Sequence, residues 1–96
     1  MLKEEMHANI RGNVQGVGFR ATTKAIAEQL HLTGYVENLP DGSVSICAQG
    51  FRKQLDRLIE ELRNAFGESN MAHVSLAFHE IATSYANFQI KRRSLN

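Results

Sequence analysis

Residues 13–20 read N-V-Q-G-V-G-F-R, and the residue pattern changes from strand-like to helical within this stretch. Before it, from Met6, apolar and polar residues alternate, which is typical of a half-buried strand. From Phe19 onward, apolar residues recur every three or four positions, which predicts a helix. Gly16 and Gly18, which adopt positive φ angles without a steric penalty, lie between the two patterns. The stretch therefore predicts a strand that turns tightly into the N-terminus of a helix.

This predicted turn has the properties of an anion-binding site. The first amides of a helix have no intrahelical partner, and the helix dipole adds partial positive charge there. Arg20 follows the glycines and brings a guanidinium that can bind an anion through two hydrogen bonds. Residues 15–20, called the phosphate cradle below, are therefore the first candidate site. Two glycines that flank one residue also fit a plain tight turn, and this alternative stays open.

Nucleotide-binding motifs are not indicated by these glycines. A dinucleotide fingerprint needs a third glycine and a distant acidic residue, and a Walker motif needs G-K-[ST]. Neither pattern occurs in the 96 residues. We therefore expect no nucleotide cofactor.

Length and composition indicate one small domain without a strong electrostatic field. A chain of 96 residues builds a single two-layer core, expected over about residues 6–91. Eleven basic and ten acidic residues give a net charge of +1, which recruits neither nucleic acid nor an anionic membrane. No apolar run approaches 18 residues, the first seven lack a signal-peptide core, and Cys47 is the single cysteine. We expect a soluble, cytoplasmic protein over residues 1–96.

The remaining patterns complete the order β-α-β-β-α-β with a short extra strand. The first helix is expected to end near His31 or Leu32, with Gly34 as its αL terminator. Further segments are predicted as strands over 35–39, 44–48, 74–78 and 88–90, a turn over 40–42 and a second helix over 55–66. Right-handed crossovers then give an α+β, ferredoxin-like two-layer sandwich with both helices on one face of an antiparallel sheet.

Asn38 is the second candidate site residue, because it ends a predicted strand just before the Pro40-Asp41-Gly42 turn. A side-chain amide can accept a hydrogen bond from water and donate one to a reacting oxygen, but it is not a general base. An asparagine in this position also fits a turn cap. The residues alone leave both roles open.

Two long stretches resemble the acylphosphatase family: V-Q-G-V-G-F-R at 14–20 and G-Y-V-E-N-L-P-D-G-S-V at 34–44. The likeness extends over about residues 7–91 and includes Gly50, Leu55 and Leu58 and a final F-x-I at 88–90. The resemblance implies an enzyme that hydrolyses the carboxyl–phosphate bond of a small acyl phosphate, without a cofactor or a metal, by in-line attack of water. It also implies competition by inorganic phosphate or sulfate, and we expect a monomer.

The resemblance also assigns roles to individual residues. Arg20 is similar to the family's arginine clamp, and Asn38 to the asparagine that orients the attacking water. The phosphoryl group is implied to bind the backbone amides of the loop, namely Gln15, Gly16, Val17, Gly18 and Phe19.

The chain departs from the family pattern in four places. Gly12-Asn13 stands where Gly-Arg or Gly-Thr is common, and Leu30-His31-Leu32 replaces Leu-Gly-Leu. Residues 66–70 lack the usual Gly-Pro. The chain also continues past its last predicted strand, where a terminal carboxylate approaches the arginine in some members. This last difference leaves the orientation of Arg20 open.

Two other function classes can be weighed against catalysis. A non-catalytic regulatory module that binds a phosphorylated ligand would keep the same cradle. Binding of single-stranded RNA would need stacking aromatics on the open face of the sheet. The predicted outward positions of the central strands are instead Asn9, Arg11, Ser45 and Cys47. A nucleic-acid partner is therefore not expected.

The other side chains that could take part in chemistry are interpreted as surface or structural residues. His7, His31, His73 and His79 are scattered and are expected at the surface without a chelating pair. Cys47 has no histidine obviously paired with it, which argues against a nucleophilic thiol. Ser43 is expected to serve the hairpin turn.

Overall fold

The strands and helices follow the order that the sequence predicts. The computed structural model describes residues 2–92. Its elements are β1 (Glu4–Arg11), α1 (Phe19–Gln29), β2 (Thr33–Asn38), β3 (Val44–Gly50), α2 (Arg52–Phe66), β4 (His73–His79) and β5 (Phe88–Lys91). The β-α-β-β-α-β order, followed by a short last strand, is the predicted ferredoxin-like arrangement.

The five strands form one sheet in the order β4-β1-β3-β2-β5. Neighbours among the first four strands are antiparallel, whereas β5 pairs parallel with β2. The antiparallel arrangement predicted for the sheet is confirmed for the four main strands, and the short fifth strand makes the whole sheet mixed. Residues 80–87 explain the difference, because they carry the chain from one edge of the sheet to the other. The chain leaves β4 at the end of the sheet where β2 begins, so β5 must run in the direction of β2.

The core lies between one face of the sheet and the two helices. The alternation in β1 and β3 turns Met6, Ala8 and Ile10 and their partners Ala48, Ile46 and Val44 towards the helices. The stripe on α2 meets them with Leu55, Leu58, Ile59 and Leu62, all buried. Burial of one such leucine contributes roughly 1.5–3 kcal/mol. This packing fixes both helices on the same face and leaves the opposite, open face of the sheet without helices.

The end of α1 differs from the expectation. The helix ends at Gln29, and the left-handed residue after its cap is His31, with φ 59, while Gly34 lies within β2. The amide of His31 donates to Glu28 O at 3.1 Å, and that of Leu32 donates to Ala27 O at 2.8 Å. These two bonds form a Schellman motif, which requires αL geometry at the residue after the cap. The prediction that Gly34 terminates the helix was therefore wrong.

The open face carries one feature that the sequence analysis did not place there. Asn9, Arg11, Ser45 and Cys47 alternate with buried residues and face outward as predicted. Tyr35 of β2 lies on the same face and packs edge-on against Tyr85, with the two ring centres 5.8 Å apart. Lys91 Nζ is 3.9 Å from the Tyr35 ring centre. The two tyrosines thus contact each other and a lysine.

Candidate active site

The loop between β1 and α1 forms a concave surface at the N-terminus of α1. Gly16 and Gly18 have φ 77 and φ 79, the left-handed geometry that the predicted turn requires. Gly18 is the N-cap of α1, and no side chain in the described part of the chain caps this helix end. The first intrahelical bond runs from the amide of Thr22 to Gly18 O at 3.1 Å. The amides between these two residues therefore have no intrahelical partner and are available to an anion.

Both ends of the loop are fixed by buried side chains. Val14 and Phe19 are each 1% exposed, and Phe19 packs against Phe66 with ring centres 4.8 Å apart. The Thr23 hydroxyl donates to Phe19 O at 2.8 Å within the first turn of α1. The glycines between these anchors are thus held in place without being covered.

Gln15 connects this loop to the turn between β2 and β3. Its side-chain Nε2 donates to Leu39 O at 2.9 Å and to Ser43 O at 2.8 Å. The sequence analysis assigned Gln15 only a backbone amide, so this positioning role was missed. Only a weak indication of this role is present in the sequence, namely a glutamine with a long side chain in the loop and a nearby turn that offers backbone carbonyls. The consequence is that the phosphate cradle and the end of β2 share one rigid support.

The β2–β3 turn is capped by residues other than Asn38. Asp41 Oδ1 accepts hydrogen bonds from Ser43 N at 2.9 Å and Ser43 Oγ at 2.6 Å, and these bonds lower the pKa of the Asp41 carboxyl. Leu39 N donates to Ser43 O at 2.9 Å, and Asn9 Nδ2 donates to Ser43 Oγ at 3.0 Å. The expected turn-forming role of Ser43 is confirmed.

Asn38 ends β2, opposite Val44, and lines a cavity together with residues of the cradle loop. Its Oδ1 is buried and accepts no hydrogen bond from the protein, a state unique among the buried side-chain polar atoms of residues 2–92. Burying an unsatisfied acceptor costs about 1–3 kcal/mol. A turn-capping asparagine would use this oxygen, and Asn38 does not.

Arg20 and Asn38 line the same small cavity of about 140 Å³. Its other lining residues are Val14, Gly16, Gly18, Phe19, Ala21, Ile90 and Arg92. A wider cavity of about 350 Å³ adjoins it and shares Arg20, Asn38 and Arg92. Its remaining wall is formed by Gln15, Leu39, Pro40 and Lys91. The structure therefore brings together the cradle, Arg20 and Asn38, beside a space that opens towards the β2–β3 turn.

Cationic groups dominate the charge around these cavities. Arg20, Lys91 and Arg92 line them, and no acidic residue does so in the part of the chain that the structure describes. Sequence reasoning missed Ile90 and Arg92, which reach the cavity only because β5 pairs with β2. The C-terminal extension whose contact with Arg20 was left open begins after Ile90. Its first two residues, Lys91 and Arg92, line the wider cavity with Arg20, and residues 93–96 lie outside the described residues. The cavities thus favour an anionic ligand.

Cys47 lies away from these two cavities, and its surroundings differ from theirs. It is buried on the open face of the sheet and lies directly opposite His7, so the expectation that no histidine pairs with it was wrong. Burial and the nearby Glu5 carboxylate raise the pKa of the Cys47 thiol to about 11. The thiol is therefore protonated at neutral pH, and a nucleophilic role remains disfavoured.

Comparisons with known proteins agree over nearly the whole chain. The acylphosphatase family model matches residues 6–90. An acylphosphatase of Acaryochloris marina is 54% identical over 55 residues, which cover 57% of this chain and 59% of the relative. One of Burkholderia mallei is 38% identical over 86 residues, covering 90% of this chain and 88% of the relative. The crystal structure of the Bacillus subtilis acylphosphatase matches with a TM-score of 0.85 at 30% identity, over 93% of this chain and 99% of that one.

Within residues 2–92, no helix is both long enough and apolar enough to cross a lipid bilayer.

Proposed function

The chain belongs to the acylphosphatase family and hydrolyses acyl phosphates, and we propose that Arg20, Asn38 and the amides of residues 15–19 carry out this reaction. Three features support these assignments: the uncapped N-terminus of α1, the cavity shared by Arg20 and Asn38, and the unpartnered Asn38 Oδ1. The unpartnered Asn38 Oδ1 carries the most weight, because a turn-capping asparagine would have used this oxygen.

The reaction needs little proton transfer from protein side chains. A water oxygen attacks phosphorus in line with the bond from phosphorus to the carboxyl oxygen, and that bond breaks with its electron pair leaving on the carboxylate. The carboxylate is a weak base, so its departure needs no strong general acid. The protons of the water remain on the inorganic phosphate product. The transition state is loose and places charge on the equatorial phosphoryl oxygens.

The cradle stabilises that charge without rearrangement. The loop amides and the first-turn amides of α1 are fixed by the backbone, and Arg20 adds two donors with a full positive charge. Donors already aimed at developing charge lower the barrier by about 3 kcal/mol each. In this proposal Arg20 spans two phosphoryl oxygens, while the amides bind the third.

Asn38 positions the nucleophile. In this proposal its Oδ1 accepts a hydrogen bond from the attacking water, which turns a lone pair of the water oxygen towards phosphorus. An amide cannot remove the proton, so its contribution is orientation, which can be worth several kcal/mol. The Gln15 side chain keeps this water site and the cradle in register through its two bonds to the β2–β3 turn.

The donor set argues for a reaction without a metal ion. In residues 2–92, the two cavities are lined by no carboxylate, imidazole or thiol, the groups that bind divalent ions. We further propose that the enzyme acts as a cytoplasmic monomer without a nucleic-acid partner. A non-catalytic phosphate-binding module is not favoured, because simple phosphate binding needs no water-positioning asparagine.

Turnover of acetyl phosphate by the purified chain tests the proposal. We expect hydrolysis to be unchanged by EDTA and to be inhibited competitively by inorganic phosphate and by sulfate, which occupy the cradle. Loss of activity in EDTA that added Mg²⁺ or Zn²⁺ restores would overturn the metal-free reaction. Purely noncompetitive inhibition by both anions would place the anion site elsewhere.

A further inference from the structure

Three metal-binding side chains meet on the open face of the sheet, apart from the active site. Cys47 of β3 lies directly opposite His7 of β1, and Glu5 precedes His7 by two residues on the same face. The ligand atoms of Glu5, His7 and Cys47 all lie within 4.8 Å of one another. We call these three residues the open-face cluster. None of them lines the active-site cavities, and the reaction described above does not use them.

The carboxylate of the cluster is held in a defined orientation. Glu5 Oε2 lies 2.6 Å from His7 Nε2, while Glu5 Oε1 accepts a hydrogen bond from Gln49 Nε2 at 2.8 Å. Gln49 is buried, and its Nε2 also donates to Thr83 O at 2.7 Å. Hydrogen bonds of this kind behind a ligand are typical of metal sites, where they fix the ligand's direction.

The open-face cluster can also be reached by an ion from solvent. His7 has 51% of its side chain exposed, so an ion can enter from solvent without unfolding. The ligand atoms of Glu5, His7 and Cys47 are at most 4.8 Å from one another, which leaves a position for a cation between them. The nearby Lys91 does not occupy that position, because its Nζ lies 3.9 Å from the ring centre of Tyr35.

We propose that Cys47, His7 and Glu5 form a Zn²⁺ site that joins β1 to β3 on the open face. Thiolate, imidazole and carboxylate are the three ligand types that zinc takes in proteins. Zinc bonds of about 2.0–2.3 Å place tetrahedral ligand atoms roughly 3.5 Å apart, so the side chains need move by only about 1 Å. On binding, the Cys47 thiol releases its proton to solvent, and the His7 ring carries its hydrogen on Nδ1 so that the Nε2 lone pair binds the ion.

One more histidine borders the open-face cluster without being one of its three ligands. His79 of β4 pairs with Glu5, and its ring centre lies 5.1 Å from that of His7. The three ligands of the proposed site come from β1 and β3, which are neighbours in the sheet. An ion bound only to the folded chain raises its stability by mass action. Since the cavities near Arg20 lie elsewhere, hydrolysis of acetyl phosphate proceeds with or without this ion.

Binding of Co²⁺ to the purified full-length chain provides the spectroscopic test, because cobalt reports its ligands in the absorption spectrum. We expect one Co²⁺ per chain, a thiolate-to-cobalt charge-transfer band and displacement of Co²⁺ by Zn²⁺. Zinc alone should raise the melting temperature of the same protein. Absence of the charge-transfer band, or binding that does not saturate at millimolar metal, would overturn the proposal.

Variants identify the ligands. Cys47→Ser should abolish the charge-transfer band, and His7→Gln, a change at an exposed position, should weaken Co²⁺ binding at least 10-fold. Gln49→Ala should weaken it by about 10-fold through loss of the bond that orients Glu5. His73→Gln is the matched control, since His73 is also on the open face but pairs with Arg11 at the far end of β1. Equal Co²⁺ affinity in the His7 and His73 variants would contradict the assignment.

Discussion

The β1–α1 loop and the β2–β3 turn lie side by side, but they use their polar groups in opposite ways. In the turn, Asp41 and Ser43 satisfy the backbone and each other, and Asn9 completes the network. In the loop, no side chain of residues 2–92 caps the amides after Gly18, and none of these residues gives the neighbouring Asn38 Oδ1 a hydrogen bond. Satisfied groups stabilise a shape, whereas unsatisfied groups that face a cavity are available to a substrate. The difference separates the residues that hold the site from those that act in it.

Arg20 should give the largest effect, since it belongs to the unsatisfied side of this comparison. Within residues 2–92 it makes no ion pair, so its removal should cost little stability. We expect Arg20→Ala to lower kcat/KM by on the order of 100-fold or more, because about 3 kcal/mol of transition-state stabilisation is lost. Arg20→Lys should recover little, because an ammonium lacks the planar fork. Steady-state kinetics with acetyl phosphate measures both, and near-normal turnover in the lysine variant would refute the clamp.

Asn38 gives a test with a more specific signature. Asn38→Ala should lower kcat severely and leave inorganic phosphate affinity nearly unchanged, since the cradle is intact. Asn38→Asp places a negative charge beside an anionic substrate, so both turnover and phosphate binding should fall. A turn cap would instead show a lower melting temperature with normal kcat in the folded fraction. Kinetics, phosphate titration and thermal unfolding of the alanine variant therefore distinguish the two roles, and a folded variant with normal kcat would exclude catalysis by Asn38.

Gln15 joins the two regions, so its loss should affect both. Gln15→Ala removes two hydrogen bonds to backbone carbonyls, and we expect a loss of about 1–3 kcal/mol in the free energy of unfolding. We also expect kcat to fall by about 10-fold, because misplacement of a reacting group by a fraction of an ångström is costly. Gln54→Ala, a change on α2 away from the active-site cavities, is the control for a glutamine truncation. A Gln15 variant that is destabilised but keeps full kcat would show that the link is structural only.

Much of this arrangement follows from local sequence, and some of it does not. Alternation and helical periodicity predicted the element order, and two glycines before Phe19 predicted the left-handed turn. The bonds of Gln15 and the pairing of His7 with Cys47 depend on which strands become neighbours and in which register. A shift of one residue in register moves every side chain to the other face, so short-range patterns cannot fix such contacts.

The end of α1 shows a second limit of local reasoning, and it leads to a smaller predicted effect. Gly34 fits an αL terminator by composition, but the Schellman bonds place that geometry at His31, with φ 59. Left-handed geometry at a residue with a side chain costs about 1 kcal/mol, so we expect His31→Gly to stabilise the fold by up to that amount. A rise of a few degrees in melting temperature would confirm it. If His31→Gly and His31→Ala destabilised the fold equally, the imidazole itself would contribute to stability.

Asp41 should give the smallest effect, which is confined to stability and depends on pH. Its bonds to Ser43 lower the pKa of the Asp41 carboxyl in the folded chain. A carboxyl with a depressed folded pKa stabilises the protein above its unfolded pKa, about 3.9, and this contribution is lost as pH falls through the folded value. The melting temperature of Asp41→Ala should therefore lie below that of the wild type at pH 7, and the gap should close in acid. Asp56→Ala, a change at an exposed aspartate on α2, controls for loss of one negative charge. Because the turn supports the site without acting in it, kcat of folded Asp41→Ala should stay within a few-fold of wild type, and a loss as large as that of Asn38→Ala would erase the distinction between the two regions.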